Sequence, residues 1–448
     1  MSEKKLNWST TQKKKLHLVS LGCTKNLVDS EVMLSKLKDY EITDDAENSD
    51  LIIVNTCGFI DSAKEESLNT IFELDQNRKE DSTLVMAGCL SERYKEELQK
   101  ELSEVDIFTG VGDYDKIDEL VNSKKNQFSK KVFLTTEEDD RVISGSSYHA
   151  YIKLSEGCNQ ACSFCAIPKF KGELFSRTLE SLVKEVKALV KKGYFDFTFV
   201  SQDSSSYLRD HNINNGLELL IDEIEKIDGV KSARILYLYP STTTKELIQK
   251  IGNSKIFHSY FDMPLQHISQ NMLKIMKRGK GSEKLKELMD EMKKIPDTFV
   301  RTTFIVGHPG EEQADFDELC EYLKDYQFDR ANVFSYSDEE GTTAYDREDK
   351  VDQELIDERA EILGEIISET TMNSLEKELG QTYEVVVDRE SDEHEYLLSA
   401  RKLIWAPDID GEIYINDKEI EDEIEFGKIY TVKITELAGD KLLATIIQ

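Results

Sequence analysis

Positive charge, long apolar runs and a fourth partner for its clustered cysteines are what this 448-residue chain lacks. Lys and Arg number 57 against 89 Asp and Glu, a formal net charge of −32. Such a chain has no general attraction to a phosphate backbone and is repelled by one at long range. A local basic patch remains compatible with RNA, so the charge favours basic protein partners without excluding nucleic acid. No stretch nears the roughly 18 apolar residues of a membrane span. Residues 1–8 lack the apolar core of a secretory leader. The expected compartment is the cytoplasm, where thiols stay reduced. Hydrophobic residues make up 39 %, enough for well-formed cores, and the length suits about two to four domains.

What is present is a cysteine pattern. Cys158, Cys162 and Cys165 stand in Gly157-Cys158-Asn159-Gln160-Ala161-Cys162-Ser163-Phe164-Cys165, a C-x3-C-x2-C run. A structural zinc site would be expected to have four ligands, and His149 and His211 are at no recognised zinc spacing. A disulfide framework does not suit three cysteines in a chain read as intracellular. Three thiolates this close together can hold three corners of a cubane iron–sulfur cluster. The fourth iron is then open to a substrate or cofactor.

The first 125 residues read as strand–loop–helix units. Strands are expected at 16–20, 51–55 and 83–87, with helices over about 28–38, from about 62, and after residue 89. Apolar strands alternating with amphipathic segments imply a parallel sheet covered by helices. Cys23, Cys57 and Cys89 all fall at carboxyl ends of these strands, the edge where open α/β sheets bind ligands. Three unrelated buried cysteines are the plain alternative. Equivalent placement, each near a glycine (Gly22, Gly58, Gly88), favours a second three-cysteine cluster site. Cys320 has no such company and reads as structural.

Residues 137–141, Glu-Glu-Asp-Asp-Arg, read as a linker. Beyond it, strands are expected at 151–154, 195–200, 233–238, 260–263, 299–306 and 332–336. Helical patterns at 179–192, 217–227 and 316–326 lie between some of them. Six strand–helix units imply an open partial (βα)6 barrel working at the carboxyl ends of its strands. After a helix over 354–379, short strands at 383–387, 412–415, 429–434 and 442–446 read as a small β-barrel. Residues 377–448 carry 18 acidic and 8 basic side chains, a net of −10. The fold class is thus multidomain α/β, with domains over 14–130, 144–376 and 377–448.

The sequence resembles the methylthiotransferases of the radical S-adenosylmethionine superfamily over nearly its whole length. The resemblance is carried by Gly22-Cys23-Thr24-Lys25-Asn26, Asn55-Thr56-Cys57-Gly58, Ala87-Gly88-Cys89 and Ser155-Glu156-Gly157-Cys158 through Cys165. The C-terminal barrel is similar to a TRAM domain. Several segments are most similar to the branch acting on an aspartate of ribosomal protein S twelve. These are Leu27-Val28-Asp29-Ser30-Glu31, Ser201-Gln202-Asp203, Tyr239-Pro240, Met263-Pro264-Leu265-Gln266-His267, Trp405-Ala406-Pro407 and Asp410-Gly411. Thr24 stands where the family usually has proline, and His308 where it usually has an aromatic.

The resemblance implies a radical [4Fe-4S] cluster on Cys158, Cys162 and Cys165 whose open iron chelates S-adenosylmethionine. It also implies an auxiliary [4Fe-4S] cluster on Cys23, Cys57 and Cys89 that carries sulfur. A 5′-deoxyadenosyl radical would take hydrogen from the β-carbon of the aspartate, and a second S-adenosylmethionine would supply the methyl group. Gln202 and Asp203 are candidates to receive the amino group of S-adenosylmethionine, against an ordinary polar loop. Gly307 and Gly310 would let backbone approach the adenine, against a simple strand-to-helix turn. Met263, Gln266 and His267 are candidates to line the cavity, and His267 is equally readable as structural. The expected partners are a basic ribosomal protein, free or on the small subunit, and an electron donor such as flavodoxin or ferredoxin. Membrane association is not expected, and direct nucleic-acid binding is disfavoured. The competing readings are methylthiolation of a transfer-RNA adenosine and a non-catalytic iron–sulfur scaffold or electron carrier.

Overall fold

The computed structural model describes residues 13–279 and 281–448. The segment read for a leader, residues 1–8, lies outside them. The described chain forms two compact units, meeting at Val142 and Ile143.

The first unit is built on five parallel strands: β1 (Lys14–Ser20), β2 (Tyr40–Ile42), β3 (Leu51–Thr56), β4 (Thr83–Gly88) and β5 (Ile107–Phe108), in the order β2-β1-β3-β4-β5. All six residues of β3 are buried, as a central parallel strand covered on both faces must be. Helices Thr24–Lys36, Asp61–Asn77 and Cys89–Arg93 follow β1, β3 and β4. Three strands were expected and five are present. The additional β2 and β5 are two or three residues long, below the length at which alternation can be read. The charged stretch read as a linker is fastened to this unit. Arg141 pairs with the buried Glu31 at 2.6 Å, and Lys36 with Asp139 at 3.2 Å.

The second unit opens with β6 (His149–Lys153) and a two-residue pair, β7 (Ser155–Glu156) with β8 (Phe175–Ser176). Then come β9 (Asp196–Val200), β10 (Ser232–Ile235), β11 (Tyr260–Asp262), β12 (Phe299–Val306) and β13 (Arg330–Ser335). Strands β6 and β9 to β13 make two parallel three-stranded sheets, β10-β9-β6 and β11-β12-β13. Backbone bonds from Ala233 to Ile256 and from Leu238 to Asp262 join the halves between β10 and the segment at β11. The result is the expected open half-barrel. Its helices bury one apolar stripe. In Leu179–Lys191, Leu182, Val186 and Leu189 face the core, and Thr178 caps the amino end.

Five strands close the small barrel: β14 (Thr382–Glu390), β15 (Leu398–Lys402), β16 (Ile413–Lys418), β17 (Ile429–Ala438) and β18 (Lys441–Ile446). β15 was not anticipated, because its buried positions include charged Arg401 and Lys402. Arg401 reaches the carboxylate of Asp196 at the start of β9, which Arg234 also holds at 2.6 Å. Tyr151 donates to the carbonyl of Pro407, and Arg330 to that of Asp410. The 402–410 loop therefore seals the amino ends of the half-barrel strands. No helix among the described residues is long and apolar enough to cross a membrane.

Candidate active site

The loop bearing Cys158, Cys162 and Cys165 leaves the carboxyl end of β6 through the β7 pair. Gly157, at φ +74, turns so tightly that a Cβ would come within 2.1 Å of the Glu173 carbonyl. The loop is fastened at several points. Cys158 N–H donates to Gly172, Ser163 N–H to Met276, and Cys165 N–H to Cys162. His308, just beyond β12, bonds the Ser163 hydroxyl at 2.8 Å and meets the Phe164 ring edge-on. Burial first, then the charges of Asp203 and Cys162 at Cys158 and of Cys162 and Cys158 at Cys165, pushes both thiols up to about 12. Thiols so placed ionise only where positive charge compensates, and bound iron would supply that.

Cys162 has polar neighbours. Arg278 donates to its sulfur at 3.3 Å, and the Tyr239 hydroxyl lies at 3.6 Å. Among the described residues, no three His, Cys, Asp or Glu side chains converge closely enough to hold a single metal ion. A cubane presents its irons at separate corners, so its ligands need not converge on one point.

Beside the loop, Glu156 is buried between Lys153, at 2.5 Å, and Lys171, at 3.5 Å. Burial opposes its charge, yet the two lysines hold its carboxyl down to about 2. Gln202, beyond β9, donates to Glu156 at 2.9 Å, which leaves its own buried carbonyl oxygen without a partner among the described residues. An oriented acceptor with nothing to accept suits an ammonium group. Asp203 differs. Its carboxylate caps the turn at Ser204–Ser206 and receives Gln160 at 2.7 Å, so it tethers β9 to the cysteine loop.

Gly307 and Gly310 lie beyond β12, near His308. Both have positive φ, and added Cβ atoms would strike Ile356 and Arg347 respectively. Packing within the chain thus accounts for both glycines. The carboxyl-end loops bring the cysteine triad, Gln202, Asp203 and the Gly307 turn together. Met263 is buried, and Gln266, at φ +69, holds a buried carbonyl oxygen without a partner among the described residues. His267 accepts from the N–H groups of Ile268 and Ser269, a structural cap.

In the first unit, Cys23 precedes the first helix, Cys57 follows β3 and Cys89 begins the helix after β4. Gly22, at φ +81, lets its loop press against Cys57; a Cβ there would lie 2.8 Å from the Cys57 sulfur. Asn26 donates to the carbonyls of Leu21 and Thr56, and its carbonyl oxygen faces Cys89 at 3.7 Å. Asn55 donates to the Asn26 carbonyl and the Ser30 hydroxyl. These two asparagines knit the cysteine-bearing ends into one edge. Burial, then the charge of Cys23, pushes the Cys57 thiol up. Here too the donor set fits a positively charged thiolate-bound centre.

Sequence reasoning assigned no role to Asn26, Asn55, Tyr239, Glu156 or Arg278. The first four stand inside motifs already noted; Arg278 lies in a loop with no pattern.

A parallel half-barrel with a three-cysteine loop at the carboxyl end of its first strand defines the radical S-adenosylmethionine class. Family models agree. The radical SAM superfamily matches residues 152–323, the uncharacterized protein family UPF0004 residues 15–110, and the TRAM domain residues 379–447. Among curated proteins, the ribosomal protein uS12 methylthiotransferase RimO of Aliarcobacter butzleri is 72 % identical, over 99 % of this chain and 100 % of its own. The proteins of that name from Sulfurimonas denitrificans and Campylobacter jejuni are 63 % and 56 % identical, each over 96 % of this chain and 98 % of its own. The chain belongs to the ribosomal protein uS12 methylthiotransferase family, whose members are radical S-adenosylmethionine-dependent enzymes. Among solved structures, the radical S-adenosylmethionine methyltransferase TsrM of Kitasatospora setae shares the fold. Its TM-score is 0.53 at 14 % identity, covering 72 % of this chain and 73 % of that one.

Proposed function

We propose that the chain adds a methylthio group to the β-carbon of an aspartate of ribosomal protein uS12. The observation that carries this reading is identity of 72 % across the full length of a relative bearing that name. The two cysteine triads support it, since the reaction needs both a hydrogen-abstracting centre and a source of sulfur. A [4Fe-4S] cluster with S-adenosylmethionine at its open iron would supply the first, and an auxiliary [4Fe-4S] cluster the second.

The protein's own part is to hold these groups and orient the substrate. Cys158, Cys162 and Cys165 would ligate the radical cluster; Cys23, Cys57 and Cys89 would ligate the auxiliary one. The Gln202 carbonyl, aimed by Glu156, would accept the cofactor ammonium, and Asp203 would hold the loop through Gln160. Gly307 and Gly310 keep the turn beyond β12 tight enough for backbone to approach the adenine. The domains on this reading span 14–130, 144–376 and 377–448.

The substrate is a basic ribosomal protein, met free or on the small subunit in the cytoplasm, with flavodoxin or ferredoxin as reductant. The net charge of −10 over residues 377–448 suits that partner and disfavours the phosphates of transfer RNA. Mass spectrometry of uS12 and of transfer RNA from a strain lacking the gene separates the two substrates. Loss of the methylthio mass from uS12 alone is expected; its retention there, or loss from an adenosine, would refute the assignment.

A further inference from the structure

Arg278 is a buried cation with no carboxylate in contact among the described residues. It makes no salt bridge among the described residues, although buried charges are ordinarily paired. One nitrogen donates to the Cys162 sulfur at 3.3 Å and another to the Pro264 carbonyl. The guanidinium lies over the Tyr239 ring, 4.2 Å from its centroid, and the Tyr239 hydroxyl itself approaches Cys162 at 3.6 Å.

The backbone is bent to put it there. Lys277 ends the preceding helix at φ +56, a conformation that side chains adopt only at a cost, and its carbonyl receives the Tyr239 hydroxyl. The Arg278 N–H closes the helix end on the Leu273 carbonyl. Cys158 and Cys165 also feel the Arg278 charge. The anion in direct contact with this cation is therefore the thiolate set, with the Asp203 carboxylate acting on it from farther off.

We infer that Arg278 is a positioning residue that sets the reduction potential of the cluster on Cys158, Cys162 and Cys165, resting on the cluster assignment above. Reduction adds one negative charge to that centre. A fixed, buried cation stabilises the reduced form, and a hydrogen bond to a ligating sulfur acts in the same direction. Tyr239 keeps the guanidinium plane in place by stacking.

The test is an anaerobic potentiometric titration, followed by electron paramagnetic resonance, on the full chain. It carries Cys23→Ala, Cys57→Ala and Cys89→Ala so that one cluster is read. Arg278→Gln should lower the reduced-to-oxidised ratio at fixed potential about tenfold, a midpoint shift of about 59 mV for one electron. Arg278→Lys, which keeps the charge, should change that ratio less than about threefold. An unmoved midpoint in Arg278→Gln with iron retained overturns the inference. Should Arg278→Gln lose iron, Arg278→Lys decides: a small shift supports the charge role, and a full tenfold fall overturns it. If the chain bearing only Cys158, Cys162 and Cys165 binds no cluster, the cluster assignment fails instead.

Discussion

The two cysteine triads solve one problem in opposite ways. Cys158, Cys162 and Cys165 occupy eight consecutive residues on one loop, whereas Cys23, Cys57 and Cys89 come from three separate strand ends. The contiguous triad is held by local turns and by contacts from His308, Gly172 and Met276. The dispersed triad exists only once β1, β3 and β4 have paired, with Asn26 and Asn55 bonding across the ends. A loop site needs a scaffold to shield it. A sheet-edge site needs the scaffold in order to exist.

The largest effect should come from removing each triad in turn. Cys158→Ala with Cys162→Ala and Cys165→Ala should abolish reductive cleavage of S-adenosylmethionine. The corresponding change at Cys23, Cys57 and Cys89 should leave cleavage running while methylthio transfer stops. Chromatography of 5′-deoxyadenosine reads cleavage and mass spectrometry of uS12 reads transfer, and cleavage lost in the second variant would break the division of labour.

Gly22→Ala should cost the first unit about 1–3 kcal/mol, since the added Cβ meets Cys57 in a left-handed backbone conformation. Chemical denaturation should show the loss, and iron should fall at the dispersed triad while the contiguous one keeps its own. Equal loss at both would erase the contrast. Gln202→Leu removes an oriented acceptor beside the loop and should raise the KM for S-adenosylmethionine about tenfold with kcat little changed. Steady-state kinetics decide between this and a fall in kcat alone, which would place Gln202 elsewhere in the reaction.

The smallest effect concerns acid. The Glu156 carboxyl is lowered, so its stabilisation is complete above about 4.3, the unfolded value. It is lost as pH falls toward about 2, its folded value. Thermal melts of Glu156→Gln should be flatter than wild type across that window, and parallel curves would show the carboxylate to be uncoupled from folding.

The contiguous triad was legible because its chemistry and its sequence spacing coincide. The dispersed triad was legible only through the repeat of strand, glycine and cysteine, and its asparagines were seen as motif letters without a task. Arg278 left no sign in the sequence, since its meaning lies in meeting Cys162 across 116 positions. β15 escaped for a related reason: Arg401 is buried because Asp196 receives it, a pairing no alternation of apolar residues announces. The same pairing places the small acidic barrel at the amino ends of the half-barrel strands, opposite the cysteine loop. Its charge therefore does not line the cysteine loop.

Iron counting after anaerobic reconstitution tests the two-centre account most directly. Wild type should bind about eight irons per chain, and each triple alanine variant about four. A variant that loses all of its iron, or none, would contradict two independent clusters.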